Sequence, residues 1–331
     1  MAIKIHKNFD KIVGQNRIKH ILSASINAAD DGRGDLIQPL VLAPKGTGKT
    51  QIVNGYMDAL ESRKFKVLRY SSPSEIRLAG DGWDKFVDTV NDYDTPYAIF
   101  FDEIHEIWDD NTRNMRILFA FLRKALDRTN EGRTLTFSDS FSTQFDRKKN
   151  VICGTTNYPS RMDEAVVDRF DKIELDLYSE NELKEILAIM LESEGMEVES
   201  DLVLRLIANC GRGTARPIKN IVRQLVTLYG TDEPISYESA LLALKLLSLF
   251  PKGLTKSEVD LLTLAQHHPI RDNQFLAMNP KTDPSDLRFS KGYLTSPTVN
   301  FVSQTSQGMV TTTRGKAYLK LLQEKGFLDS F

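Results

Sequence analysis

Hydrophobic positions in the first 175 or so residues follow two periods. The stretches Pro39–Leu42, 65–70, Tyr97–Phe101, 150–154 and 172–175 are short runs of the kind that form strands buried in a sheet. Between them, apolar residues recur at helical spacing. Ile18, Ile21 and Leu22 form one such set, and Ile52, Val53, Tyr56, Met57 and Leu60 another. The stretch 83–90 has the same period. In 115–126, Leu118, Phe121, Leu122 and Ala125 share a face while Arg116, Arg123 and Lys124 lie elsewhere, as on a solvated surface. Strands alternating with helices predict an α/β core, a parallel sheet with helices on both faces. One stretch breaks the pattern. In 133–145, Leu135, Phe137, Phe141 and Phe145 are separated by Thr, Ser, Asp and Gln, the period-two texture of a hairpin.

After residue 177 the chain turns helical. Ser179-x-x-Glu182 is a capping box ahead of Leu183, Ile186, Leu187 and Met190. Gly211 and Gly213 break the next helix; Thr214 stands where it can cap the following one, with Pro217 in its first turn. A helix over 236–249 closes a small helical domain. From residue 252 the pattern predicts helices at 254–264, Asp272–Met278 and 283–291. Strands at 299–302 and 309–313 flank a Ser/Gln/Gly turn, and a last helix runs from Gly315. Three helices and a two-stranded wing make a winged helix. The expected domains are 1–177, a nucleotide-binding core; 178–250, a helical lid; and 251–331, a winged helix for DNA.

The chemistry sits at strand ends. Ala43-Pro44-Lys45-Gly46-Thr47-Gly48-Lys49-Thr50 lies between the first strand and a helix, the setting of a phosphate-binding loop. Gly46 and Gly48 let the backbone of Lys45–Gly48 curl so that N–H groups face an anion, and the helix adds the partial positive charge of its N-terminus. Lys49 would reach the β- and γ-phosphates of ATP, and the Thr50 hydroxyl would hold Mg²⁺. Asp102 and Glu103 follow the run Tyr97–Phe101, at the edge where open α/β sheets bind ligands. Asp102 can hold Mg²⁺ through its water shell, and Glu103 can take the proton of the water that attacks the γ-phosphate. This pairing predicts an ATP hydrolase.

With 331 residues the chain accommodates two or three domains. At 41% hydrophobic and 27% charged it has the composition of a soluble globular protein, which excludes a disordered chain. No apolar run has the length of a membrane span, and Met1–Lys7 lacks a signal-peptide core, so a cytoplasmic protein is expected. Cys153 and Cys210 have neither metal-ligand nor disulfide spacing and are expected to be reduced, half-buried thiols. His267-His268 reads as a helix end before Pro269. The net charge of −2 divides unevenly: from Pro251 onward ten Lys/Arg face seven Asp/Glu, whereas the remainder has 33 against 38. That mild basic excess is compatible with nucleic acid.

Thr155-Thr156-Asn157 after a later strand, and Asp168-Arg169-Phe170 beyond it, complete a pattern that resembles the AAA+ ATPases. Within them the chain is most similar to the RuvB family of Holliday-junction branch-migration motors. The matching pieces are Ile12-Val13-Gly14-Gln15, Asp102-Glu103-Ile104-His105, Gly154-Thr155-Thr156, Asp168-Arg169-Phe170, the stretch from Leu177 to Leu183, Arg212-Gly213-Thr214-Ala215-Arg216, and the stretch from Gly308 to Arg314. The resemblance implies that Asn157 (or Thr156) is sensor 1 and that Arg169 is an arginine finger reaching a neighbouring subunit. It also implies that Arg216, with Pro217 beside it, touches the γ-phosphate from the lid, and that Ile12, Val13 and Tyr178 lie near the adenine. It further implies a ring, hexameric in that family, acting on branched or duplex DNA. Arg314, Lys316 and Lys291 become candidates for phosphate contacts, and the hairpin 133–145 for docking a protein partner; core packing of its rings is the alternative. Three departures mark a divergent member: the Arg-Pro usual before the first glycine motif is absent, Pro217 follows Arg216 where the family places a proline before it, and the Glu103–Asn157 spacing is slightly long. A DNA-loading AAA+ protein (a clamp or helicase loader, or a replication initiator) and a nucleotide-dependent DNA-binding switch are the other readings.

Overall fold

The computed structural model describes residues 5–76, 81–138, 141–231, 233–280 and 284–328, the side chains of 284–286 excepted. The chain divides into two units, Met1–Leu177 and Tyr178–Phe331.

The first unit is built on a five-stranded parallel sheet. Its strands are β1 (Pro39–Leu42), β2 (Lys66–Tyr70), β3 (Tyr97–Phe101), β6 (Asn150–Thr156) and β7 (Asp171–Glu174), in the order β2-β3-β6-β1-β7. Neighbouring residues on each strand face opposite layers, as the two-residue repeat requires. Leu40, Ile99, Phe101 and Ile152 join one core with α3 (Asp81–Asn91) and α5 (Arg113–Ala125). Val41, Ala98, Phe100, Val151 and Cys153 join the other, with α1 (Asn16–Asp30) and α2 (Lys49–Glu61). The helical faces foreseen for α2 and α5 are the buried ones. Each such Leu, Val or Phe withdrawn from water stabilises the unit by about 1.5–3 kcal/mol before entropy is counted. Two single-turn helices, α4 (Glu106–Asp109) and α6 (Glu164–Val167), follow β3 and β6.

The expected hairpin is present as β4 (Thr134–Ser138) and β5 (Phe141–Gln144), antiparallel with a register shift between Thr136 and Ser138. Its rings belong to the core. Phe141 and Phe145 are about 1% exposed, and Phe141 stacks on Phe137 at 5.0 Å and meets Phe86 edge-on at 5.7 Å. The docking expectation is therefore corrected for these rings. Period-two patterning identifies a buried face, and that face is covered by the helices of the same unit.

The second unit contains two apolar clusters. The first gathers α7 (Glu180–Ser193), α8 (Asp201–Asn209), α9 (Ala215–Tyr229) and α10 (Tyr237–Leu246). The capping box is formed: Ser179 N donates to Glu182 Oε2 at 2.7 Å and Glu182 N to Ser179 Oγ at 3.3 Å. Thr214 occupies the cap position of α9, but its hydroxyl donates to the Gly211 carbonyl at 3.0 Å and caps nothing. α10 stops before 249, because Ser248 takes a positive φ and Leu249–Phe250 (β8) pairs with Leu254–Thr255 (β9).

The second cluster gathers α11 (Lys256–Leu264), α12 (Asp272–Met278), α13 (Pro284–Thr295) and α14 (Thr313–Glu324) around the antiparallel pair β10 (Val302–Thr305) and β11 (Gly308–Thr311). Three residues separate β10 from its expected start. Val299 and Phe301 are buried, but Asn300 between them has φ 48°, so their alternation belongs to a packed turn. The last helix starts two residues early, where the Thr312 hydroxyl accepts the Gly315 N–H at 3.1 Å. Asp283 lies outside the described residues. Cys153 and Cys210 are free and fully buried rather than half-buried, and burial pushes both thiols up in pKa.

Candidate nucleotide site

The loop between β1 and α2 has the backbone of an anion cradle. Gly46 and Gly48 have φ of 87° and 88°, the left-handed region that glycine enters without strain. Gly48 is the cap residue of α2 and no side chain caps that helix, so its first-turn N–H groups are without a side-chain acceptor. Thr47 is buried and its hydroxyl donates to Pro44 O at 2.9 Å, which braces the turn from inside. Lys49 is folded over the loop, its ammonium donating to the Ala43 and Pro44 carbonyls at 2.8 and 3.2 Å. Lys45 is exposed at the rim.

Three strand ends converge on this loop. Thr50 Oγ1 donates to Asp102 Oδ2 at 2.9 Å, and the Thr155 hydroxyl donates to Asp102 Oδ1. The Glu103 N–H lies 3.2 Å from both Asp102 Oδ1 and Thr155 Oγ1, and the Ile104 N–H donates to Thr155 O at 2.9 Å. Glu103 takes φ 49°, a conformation that costs a non-glycine residue on the order of 1–3 kcal/mol and marks functional positions. Its Oε2 is buried without a hydrogen bond, and so is Oδ1 of Asn157, just beyond β6. Thr156 is fully buried, and its hydroxyl oxygen accepts the Tyr158 N–H at 2.9 Å.

A hydroxyl and a carboxylate 2.9 Å apart, an ammonium, uncapped helix N–H groups and two unpartnered buried oxygens fit a nucleoside triphosphate with a hard divalent cation. The orphaned oxygens fit an acceptor role toward water. Ile12 is half-buried and Val13 buried; Gln15, two residues on, ties this segment to the end of β7 by donating to Asp176 O at 2.8 Å.

Arg169 lies beyond α6, where its guanidinium pairs with Asp127 at 2.9 Å and donates to Ala165 O at 3.1 Å. The buried Arg147, which sequence reasoning passed over, donates to Leu126 O at 2.8 Å and Arg169 O at 3.3 Å and so ties the two segments together. In the second unit Tyr178 is buried with Leu183 in the first cluster, and burial pushes its hydroxyl up to about 12. Arg216 is exposed in the first turn of α9, with Pro217 next to it. Arg314 and Lys316 are exposed in the first turn of α14. Lys291 is paired here, Asp272 gripping its ammonium with both oxygens at 2.8 Å, so a phosphate contact would have to displace Asp272. His267 and His268 are exposed beyond α11, and among the described residues no cluster of side chains could hold a metal by itself. No helix there is long and apolar enough to cross a membrane.

A parallel sheet with a glycine-rich loop after β1 and Asp-Glu after its neighbour-but-one defines a nucleotide-binding P-loop ATPase. Residues 39–176 match the AAA family, "ATPase family associated with various cellular activities". The curated protein "Holliday junction branch migration complex subunit RuvB" of Wolbachia sp. subsp. Brugia malayi is 27% identical over 325 residues, which cover 95% of this chain and 93% of that one. The protein of that name from Thermotoga maritima is 24% identical, covering 95% and 91%. The solved structure of the Thermotoga maritima RuvB Holliday junction branch migration motor superposes with a TM-score of 0.64 at 22% identity, over 96% of this chain and 98% of that one. Residues 39–176 thus carry the ATP-hydrolysing core of the AAA ATPases, and along most of its length the chain resembles RuvB as a divergent relative.

Proposed function

We propose that the protein is a cytoplasmic, ring-forming DNA motor driven by ATP and Mg²⁺, moving branched DNA as RuvB does. The observation that carries this reading is the extent of the match. Relatives named for Holliday-junction branch migration align over 95% of the chain, so the C-terminal unit is included with the ATPase core. We read residues 178–250 as the helical lid and 251–331 as a winged helix.

Bound Mg²⁺ATP supplies the reactive phosphoanhydride and the charge that polarises it. The loop N–H groups of residues 45–49 hold the phosphates, and Lys49 exchanges the carbonyls of Ala43 and Pro44 for phosphate oxygens. Thr50 and Asp102, 2.9 Å apart, would hold the cation. Glu103 accepts the proton of the attacking water at its buried carboxylate oxygen, which has no hydrogen bond. Asn157 orients that water through Oδ1; it suits the sensor role better than Thr156, whose oxygen is already engaged by the Tyr158 N–H. Arg169 leaves Asp127 to stabilise charge in the neighbouring subunit's site, and Arg216 does so from the lid. Ile12, Val13 and Tyr178 border the base. Arg314 and Lys316, where α14 also presents its positive end, contact DNA phosphates.

Steady-state ATP hydrolysis measured with and without a four-way DNA junction tests this reading. Turnover that rises with the junction supports it. Turnover indifferent to every DNA structure would overturn the motor and leave an ATPase with another partner.

A further inference from the structure

His105 is the one buried imidazole beside the proposed base, and the roles assigned above do not use it. It is 4% exposed, at the start of α4, and its ring meets Tyr158 edge-on with centroids 5.3 Å apart. Nδ1 lies between two oxygens: Thr156 Oγ1 at 3.0 Å and Glu103 Oε2 at 3.5 Å. The Glu103 oxygen has no hydrogen bond among the described residues, and its backbone is held in the left-handed region. The carboxylate oxygen so placed has no hydrogen bond to fix it, and the imidazole nitrogen 3.5 Å away is in a position to supply one.

We propose that His105 is a positioning residue for Glu103, its Nδ1 tying the carboxylate to Thr156 and thereby to the end of β6 that carries Asn157. The base and the water-orienting amide are then set by one three-membered chain, Glu103–His105–Thr156. The Thr156 oxygen already accepts the Tyr158 N–H, so the Thr156 proton is available to Nδ1 whenever the ring carries its own proton on Nε2. With the proton on Nδ1, the ring donates to Glu103 instead. Burial, the largest influence on this ring, disfavours the charged form, while Glu103 opposes it. The neutral ring therefore holds Glu103 in the tautomer with its proton on Nδ1, and Thr156 Oγ1, with a lone pair left beside the Tyr158 N–H, shares that same proton. The inference rests on the reading of Glu103 as the base.

The test uses the full chain and three substitutions. In His105→Asn a nitrogen bonded to Cγ replaces Nδ1 at nearly the same place. His105→Gln restores only the more distant nitrogen, and His105→Phe keeps the ring volume against Tyr158 without either. The expected result is a kcat within about 3-fold of wild type for Asn, and a fall of roughly 10- to 100-fold for Phe, with Gln between. KM and the Kd of a fluorescent ATP analogue stay within about 2-fold throughout. A ring that only packs gives the opposite order, Phe at or above Asn, and that order would overturn the proposal. So would an effect confined to KM and Kd. If His105→Phe melts, Thr156→Val paired with His105→Gln carries the test: a double variant no slower than the slower single variant supports the chain of contacts, and fully multiplicative losses refute it. A wild-type protein without ATPase activity would instead refute the proposed function itself, a separable outcome.

Discussion

Replacing Arg212 by alanine should destabilise the second unit more than any surface change. Arg212 sits on the turn between α8 and α9 with φ 53°. Its Nη1 donates to Glu258 Oε2 at 3.0 Å, and Nη2 lies 2.9 Å from Oε1, near enough to pair though not aligned to donate. The guanidinium also stacks over Tyr293 at 3.9 Å and Phe289 at 5.2 Å. The two side chains are 11% and 2% exposed, so water cannot replace a lost partner. Stranding one charge of a buried pair costs about 3–5 kcal/mol. The lost contact with Tyr293 adds about 0.5–2 kcal/mol. For a unit of this size each kcal/mol lowers the melting point by about 2–4 °C, so the combined loss of about 3.5–7 kcal/mol gives a shift of roughly 7–28 °C. Thermal melts of the full chain, followed through the transition of the second unit, provide the assay. Arg205→Ala is the control, because its pair with Asp201 is 59% and 54% exposed and worth under about 1 kcal/mol. Removing both charges together, as Arg212→Met with Glu258→Gln, should recover most of the loss, since no buried charge is then left alone. An Arg212→Ala shift no larger than the Arg205→Ala shift would refute the reasoning.

Lys49→Ala and Arg169→Ala should each abolish turnover alone, yet regain part of it when mixed one to one, because some interfaces then join an intact loop to an intact finger. Co-assembly without any recovery would exclude a trans role for Arg169. Arg314→Ala and Lys316→Ala should weaken binding to all duplex sequences and reduce the magnitude of the log–log salt slope by about 0.9 each, which fluorescence anisotropy reads directly; an unchanged slope would point α14 toward protein contacts. Phe141→Ser should lower stability in denaturant by about 3–5 kcal/mol, as expected for emptying a core aromatic site, and a stable variant would return the hairpin to a docking role.

What the sequence made legible was local. Gly46 and Gly48 announce a backbone that few other residues tolerate, Ser179 and Glu182 cap over three residues, and the five sheet strands show in their apolar runs. Long-range pairing left no such trace. Asp163 and Glu164 lie close to Arg169 in the sequence, and neither pairs with it. Instead Asp163 caps α6, accepting the Val166 N–H at 3.2 Å, and the partner is Asp127, 42 residues away. Arg212 and Glu258 are separated by 46 residues, with nothing in either segment to announce the other. Patterning also names a buried face without naming its cover, which is why Phe137 and Phe141 read equally well as docking or core. The segment 299–301 shows a third limit, because one left-handed residue, Asn300, turns an apolar alternation into a loop. His105 lies in the Asp102-Glu103-Ile104-His105 motif, but only the fold puts it within reach of Thr156.

The central claim, that hydrolysis at Glu103 moves branched DNA, is tested most directly by following a labelled four-way junction with purified protein, ATP and Mg²⁺. The account predicts that the wild-type protein resolves the junction into its duplex products. Glu103→Gln, slowed in hydrolysis by about 10²-fold or more but still binding ATP, should hold the junction without moving it. A wild-type protein that turns over ATP on the junction yet never moves it, or a Glu103→Gln variant that moves it at the wild-type rate, would contradict the account.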